Sequence, residues 1–422
     1  MKKLSKKQKL VGFIAILLVA VILAIVITTN IISNNNQSNQ IASQEEYLAT
    51  TANAGSSLVA SYIKKGITIG GITGTLETLD TSDATATPCD IAKGKTAYVN
   101  GEKITGRYIV YESTLGTVTG NETSNTTVND VYGNKVVVPA GFKIINPNQN
   151  VPDGIIIEDV NAGDGNTQGS QFVWIPIGNV YYDTCENYET ITLGRYAFNS
   201  DGSTTTVSRS FTEDRAESHN SRYENAIAKD INDFRKKANS SGGYYIGRYE
   251  AGDATATSSA RTGSTSDTNP IVSKAGVYPY TWISQQQASS LCKGMYSSSN
   301  FESDLINSYA WDTAIVFIQE FSGDTNYSQQ RGGNTAGALQ KCGESILNEV
   351  DSGDVAQDIR CNIYAMAGNT MEWSTETNSS TANPCVSRGG SYDKTNLCTG
   401  TRGCIFTPYS SNGFSARPTL YL

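Results

Sequence analysis

The sequence predicts an α+β body at the C-terminal end of the chain, behind a small β spacer, a polar stalk and one N-terminal apolar helix. Three observations lead there. Gln171-Phe-Val-Trp-Ile-Pro-Ile177 alternates as a β-strand does. Apolar residues at helical spacing recur three times between residues 221 and 321. Everything after Cys361 is dense in Gly, Ser, Asn and Tyr and reads as strand or loop. At 422 residues the chain has room for two or three domains and at least one substantial core.

Composition narrows the function before any motif is read. There is a single histidine, His219, which rules out His-rich zinc sites, HExxH proteases and iron sites that need two or three imidazoles. No GxSxG elbow accompanies it, so a serine-hydrolase arrangement has no support. The net charge of −8 lacks the basic footprint that nucleic acid requires, so no nucleic-acid partner is expected.

The N-terminal residues 1–32 read as a cytoplasmic basic stub and a transmembrane helix. Lys2, Lys3, Lys6, Lys7 and Lys9 precede an uncharged, mostly apolar run from Leu10 to Ile27, long enough to span a bilayer with flanking help. The positive-inside rule places the lysines in the cytoplasm and the rest outside the cell, so the membrane is the first expected partner. A cleaved signal peptide is the competing reading, but no small-x-small exit follows the run. A pilin-type leader cut at Gly12-Phe13 would carry Glu at the position of Leu17.

Residues 33–60, rich in Asn, Ser and Gln, read as a stalk, with a short helix over Glu45 to Thr51. Residues 61–130 hold two related segments. Ile63-Lys-Lys-Gly-Ile-Thr-Ile-Gly-Gly-Ile-Thr-Gly74 and Ile91-Ala-Lys-Gly-Lys-Thr-Ala-Tyr-Val-Asn-Gly-Glu-Lys-Ile-Thr-Gly106 share one pattern, the second being four residues longer. Asn100-Gly101 predicts a tight hairpin turn. These segments resemble small β repeats of phage tail and bacterial surface proteins, which implies a spacer. Asn121-Glu-Thr and Asn125-Thr-Thr have the form of glycosylation sequons. Eight cysteines without a CxxC pair point to disulfides in an oxidising location. Cys89, alone in its region, would have to be tied to the distal domain.

Residues 131–422 read as one large domain. Val136-Val-Val-Pro, Ile155-Ile-Ile and residues 171–177 are its early strands. A helix is expected over Ser221 to Ala238, with Tyr223, Ile227, Ile231 and Phe234 on one face. A second begins at Ser284, where Gln287 completes a capping box, with Ala288, Leu291, Cys292 and Met295 as its stripe. A third runs from Trp311 to Phe321, burying Trp311, Ile315 and Ile318.

The C-terminal third carries the most specific pattern. Asn362-Ile-Tyr-Ala-Met-Ala-Gly-Asn-Thr-Met-Glu-Trp373 is followed by Arg388-Gly-Gly-Ser-Tyr392 and then Gly413-Phe-Ser-Ala-Arg-Pro418. Together with Tyr244-Tyr-Ile-Gly-Arg-Tyr-Glu-Ala251 and Ser308-Tyr-Ala-Trp-Asp312, this order resembles the formylglycine-generating enzyme (sulfatase-modifying factor) family. The resemblance covers residues 133–422 and implies a C-type-lectin-like fold. Most of the motif residues have a scaffold role by their own chemistry. Gly368-Asn369 suits a tight turn, Trp373 anchors a loop-rich core, and Gly389-Gly390 admits close backbone approach.

The resemblance also implies chemistry that this chain alters. Catalytic members bind copper through two cysteines after the GGS motif, at positions held here by Lys394 and Thr399. Cys398 and Cys404 lie nearby but out of register, and their spacing fits a disulfide clasping a loop. Iron-dependent relatives use several histidines that His219 alone cannot supply. A structural calcium of the family would draw on the carbonyls of Gly368 and Thr370 and the carboxylate of Glu372, although Ala365 replaces a side-chain ligand. No other cofactor is expected.

Binding remains. The segment between the GGS and GF motifs supplies Tyr392, Asp393, Asn396, Thr399, Thr401, Arg402, Ile405, Phe406, Tyr409 and Asn412, residue types that binding loops favour. The expectation is a non-enzymatic cell-surface protein, single-pass with its C-terminal domain outside, that recognises an extracellular protein or glycan. Some surface proteins of this fold are diversified by retroelements at this segment, which would make the chain a variable receptor or adhesin. The alternatives are a formylglycine-generating-type oxidase using Cys398 and Cys404 on cysteine-containing peptides, and a pilus or filament subunit.

Overall fold

A computed structural model of the chain describes residues 17–29, 58–77, 80–109, 111–213, 230–263, 269–331, 338–344, 346–348, 355–394, 396–406 and 409–422. The stalk with its expected helix, His219, and the first half of the helix expected from Ser221 lie outside these residues. The chain divides into two compact units, residues 1–85 with 98–102 and residues 86–97 with 103–422.

In the first unit, residues 17–29 are helical, and the hydroxyl of Thr29 donates to the Ile25 carbonyl at 2.9 Å. At 1.5 Å per residue the described helix is about 20 Å, short of the roughly 30 Å of a hydrocarbon core, and the basic stub and residues 10–16 of the apolar run lie outside the described residues. Among the described residues no helix is long and apolar enough to cross a membrane. This overturns the expected transmembrane helix and the single-pass membrane location.

The two repeats share one backbone pattern. In the first, the Leu76 amide donates to Ile63, Lys65 to Leu76, Gly74 to Ile67 and Thr75 to Ala60. In the second, Tyr108 donates to Ile91, Lys93 to Tyr108, Gly106 to Lys95 and Arg107 to Pro88. Gly74 and Gly106 are required by contact. A Cβ on Gly74 would sit 2.2 Å from the Ile63 carbonyl oxygen, and one on Gly106 would sit 2.3 Å from that of Ala92. The four extra residues of the second repeat lengthen its hairpin, where Asn100 and Gly101 take φ of 51° and 80°, as a primed turn demands. Within the second unit, Cys89 is disulfide-bonded to Cys185, so the lone upstream cysteine is tied to the distal region. Arg107 Nη2 donates to the Cys185 carbonyl at 2.9 Å and Lys93 pairs with Glu186 at 2.7 Å, fixing the same junction.

Among the described residues two large sheets and three helices build the body, with several two-stranded ribbons beside them. In chain order the strands of the two large sheets are β1 (Phe142–Ile144), β2 (Ile156–Asp159), β3 (Gln171–Pro176), β4 (Phe211–Thr212), β5 (Gly243–Gly247), β6 (Glu302–Leu305), β7 (Met371–Asn378), β8 (Cys385–Arg388), β9 (Arg402–Ile405), β10 (Phe414–Ala416) and β11 (Pro418–Tyr421). The helices are α1 (Ile231–Ser241), α2 (Gln285–Lys293) and α3 (Ser308–Phe321). One sheet runs β6-β11-β5-β3-β2-β1, all antiparallel, with Tyr245 opposite Trp174 and their rings 4.9 Å apart. The other runs β4-β7-β8-β9, with β10 parallel beside β7.

Local chemistry ends the helices where it should. Ser284 and Gln287 form a reciprocal capping box at α2. Asn307 caps α3, three residues earlier than the apolar stripe suggests. Gly242, at φ 76°, stops α1 in a left-handed turn.

The expected α+β, C-type-lectin-like class is corrected by the structure, which is mostly β with few helices. The faces of α1 and α2 were legible because those helices are amphipathic, whereas α3 is buried on nearly all sides. The strands of the C-terminal third hide from periodicity because both their faces are buried: β7 is buried from Met371 to Glu376, polar residues included.

Candidate functional site

The motif residues of the C-terminal third form buried charge clusters that hold the site from beneath. Arg388 and Arg402 each place an Nη2 at 2.5 Å from Asp312 of α3. Arg402 Nε lies 3.0 Å from Glu376 of β7, and Arg195 completes the cluster on the same carboxylate at 2.5 Å. Arg388, Asp312 and Glu376 have no exposed side-chain surface, so each charge must be answered locally, and is. Arg417, from the GFSARP string, grips Glu372 with two hydrogen bonds of 2.8 and 2.5 Å.

Asn369 joins this floor to the surface above. It sits at φ 60°, the left-handed conformation that Asn tolerates better than most residues. Its Nδ2 donates to Glu250 Oε1 at 2.9 Å and to the Gln340 carbonyl at 3.1 Å, and its Oδ1 accepts the Gln340 amide at 2.9 Å. Its own carbonyl accepts the Tyr392 amide at 2.8 Å. Burial pushes the Glu250 carboxyl up to about 7, against the opposing pull of Arg417 and the Asn369 hydrogen bond. Glu250 Oε2 has no hydrogen-bond partner among the described residues.

Above this floor opens a cleft of about 570 Å³, whose lining includes Arg261, Thr262, Tyr278, Trp282, Tyr392 and Asn412. Leu339, next to the Gln340 that Asn369 clasps, forms another part of its wall. The volume is typical of small-ligand sites. Asn412 Nδ2 donates to the Tyr392 hydroxyl at 2.6 Å, joining the two ends of the expected binding segment. Trp282 stands at φ 60°, an uncommon conformation for a bulky side chain, and its amide is held by the Ser411 carbonyl at 3.0 Å. That bond ties the Tyr278–Trp282 segment to the C-terminal loop across the cleft.

The expected ligand residues divide into three groups. Tyr392 and Asn412 line the cleft, and Asp393 and Asn396 are exposed near it in sequence. Phe406 is 52% exposed and begins an aromatic ladder through Tyr409 (5.0 Å) and Phe414 (5.2 Å) to buried Trp373 (4.8 Å). Ile405 is half-buried on β9. Thr399, Thr401 and Arg402 serve the interior instead. The Thr399 carbonyl accepts from Trp311 Nε1 at 3.0 Å, Thr401 Oγ1 accepts the Cys398 amide at 2.9 Å, and Arg402 belongs to the charge cluster.

The cofactor positions are likewise placed. Both oxygens of Glu372 are occupied by Arg417, so a calcium ion would have to displace a guanidinium; with Gly368 and Thr370 the donor set does not fit the ion. Among the described residues no group of three or more His, Cys, Asp or Glu side chains could hold a metal. Cys398 and Cys404 are not disulfide-bonded to each other. Cys404 is exposed on β9 opposite Val386, and partial burial, then the nearby Glu376, push its thiol up, away from the thiolate that copper binding needs. Of the two sequons, Asn125 spends its amide on the Asn300 carbonyl (2.7 Å) and the Ala140 amide (3.1 Å). Its side chain is therefore committed to the fold.

The sequence reading missed Arg261, Tyr278 and Trp282. Their signal was present: Tyr278-Pro-Tyr-Thr-Trp282 packs three aromatics into five residues immediately before the α2 cap.

No protein-family model matches the chain, and no curated protein matches it. Several solved structures are similar to it, among them the following three. The crystal structure of CarF shows 14% identity, covering 43% of this chain and 87% of its own, at a TM-score of 0.30. Treponema denticola variable protein 1 shows 13% identity, covering 61% and 97%, at 0.30. PvdO from Pseudomonas aeruginosa shows 10% identity, covering 60% and 95%, at 0.32. All three likenesses are distant.

Proposed function

We propose that residues 131–422 act as a binding module, taking a protein or glycan ligand in the cleft between Tyr278–Trp282 and the Tyr392–Asn412 segment. One observation carries this reading: a cleft of about 570 Å³ that joins partly exposed aromatics to the Tyr392–Asn412 hydrogen bond. The order of the AGNTMEW, RGGSY and GFSARP strings supports kinship with the formylglycine-generating enzymes at the level of scaffold. The fates of the motif residues favour binding over oxidation. Arg388, Arg417, Glu372 and Asn369 are all engaged in holding the fold.

The test is to probe mixed arrays of glycans and proteins with the full chain, alongside Trp282→Ala and Asn412→Ala. The reading expects at least one binder whose signal falls about tenfold or more in Trp282→Ala and about twofold or more in Asn412→Ala. Binders that both variants retain at full strength would contradict it.

A further inference from the structure

We infer that the cleft takes a neutral saccharide, in preference to an acidic ligand or a folded protein surface. This rests on the binding reading above and narrows its ligand class.

Charge is the first ground. Among the described residues no carboxylate lines the cleft, and Arg261 is the only lining residue with a formal charge at neutral pH. That charge is already answered. Arg261 pairs with Asp253, their side chains 5% and 1% exposed, donates Nε to the Thr281 carbonyl at 2.9 Å, and lies 3.9 Å over the Tyr280 ring. An anionic ligand would have to compete with a buried carboxylate for it. Nearby, Lys394 and Asp393 are 3.6 Å apart, and the Lys341 ammonium lies 5.7 Å from the Tyr278 ring centroid, outside the lining.

Surface chemistry is the second. A pyranose offers an apolar face of C–H groups and a rim of hydroxyls that both donate and accept. The cleft offers the same two characters: the rings of Trp282, Tyr278 and Tyr392, and the Tyr392–Asn412 pair with the exposed Thr262. With Asn412 Nδ2 donating into the phenol, the phenol keeps its own hydrogen to donate and the amide keeps its oxygen to accept. One sugar hydroxyl can bridge those two groups.

Shape and rigidity are the third. A stable protein contact needs about 800 Å² per partner, commonly over a broad face, whereas a concave cleft of this volume suits the end of a small chain. Trp282 is fixed in a costly backbone conformation by the Ser411 carbonyl. Its backbone is therefore set before a ligand arrives, which lowers the ordering cost of binding.

The experiment titrates the full chain with neutral β- and α-linked di- to tetrasaccharides, their sulfated or sialylated counterparts, and peptides from array-positive proteins, reading tryptophan fluorescence. The inference expects saturable binding of a neutral saccharide, unchanged between low and high salt. Affinity should fall about two- to twelvefold in Asn412→Ala and in Tyr392→Phe, each losing one hydrogen-bonding group. Asn412 is exposed, so its variant tests the cleft even if Trp282→Ala fails to fold. No response to any neutral saccharide at millimolar concentration, or a salt-sensitive preference for the acidic counterparts, overturns the inference. If protein or peptide binding is lost in these variants while saccharides do nothing, the ligand class falls and the binding module stands. If no binder of either class responds to the variants, both fall.

Discussion

Replacing Glu250 by Gln tests the floor of the cleft through the pH dependence of stability. Glu250 is fully buried, accepts one hydrogen bond from Asn369, and is faced by Arg417, Asp358, Cys342 and Glu372. Burial raises its carboxyl from the ordinary 4.5 to about 7. The folded state thus holds the proton more tightly than the unfolded chain does. Its contribution is fully present below about pH 4.5 and is lost as pH rises through about 7. Linkage with these two values gives a loss of roughly 2–3 kcal/mol between about pH 5 and about pH 8. Gln keeps the shape and the acceptor for Asn369 but cannot ionise, and it also removes the charge that raises the Glu372 carboxyl. Urea unfolding at the two pH values should therefore show wild type losing roughly 2–3 kcal/mol more than Glu250→Gln. Parallel pH profiles for the two proteins would refute the claim that Glu250 is held protonated beneath the cleft.

Asp312→Ala should cost about 3–5 kcal/mol in thermal or chemical unfolding, because it leaves Arg388 and Arg402 short of their shared buried carboxylate; a cost below about 1 kcal/mol would contradict the charge cluster. Gly106→Ala pushes a Cβ to 2.3 Å from the carbonyl oxygens of Ala92 and Ile91, so hydrogen exchange should quicken at the Lys93 and Tyr108 amides and stay slow at Tyr245. Cys89→Ser removes a bridge between residues 96 apart in sequence, and should lower stability by about 4–5 kcal/mol on the chain-entropy account, with reductant destabilising wild type but not the variant.

What could be read from the sequence was local. The Ser284–Gln287 capping box, the Asn100-Gly101 turn and the alternation over residues 171–176 each depend on a few neighbouring residues, and each folds as its chemistry dictates. The repeats were legible because both keep the glycine that a crossing carbonyl requires. The Leu10–Ile27 run misled because apolar composition does not by itself measure helix, and among the described residues the helix over 17–29 is about 20 Å. In the site, Tyr392 and Asn412 were visible as loop residues between two motifs. Arg402 has the same local texture, but Asp312, 90 residues earlier, draws it inward. Trp282 lies over 100 residues from the loop it faces, and only tertiary contact through Ser411 makes them one site.

The central claim is that ligand sits against Trp282. Of the four tryptophans, Trp174, Trp311 and Trp373 are fully buried, and Trp282 alone is partly exposed. A proton–nitrogen correlation spectrum of the full chain, recorded while the tightest array binder is added, follows each indole N–H separately. The account predicts that the Trp282 resonance, assigned by its loss in Trp282→Phe, shifts to saturation while the other three hold still. A saturating ligand that leaves the Trp282 resonance unmoved would contradict it.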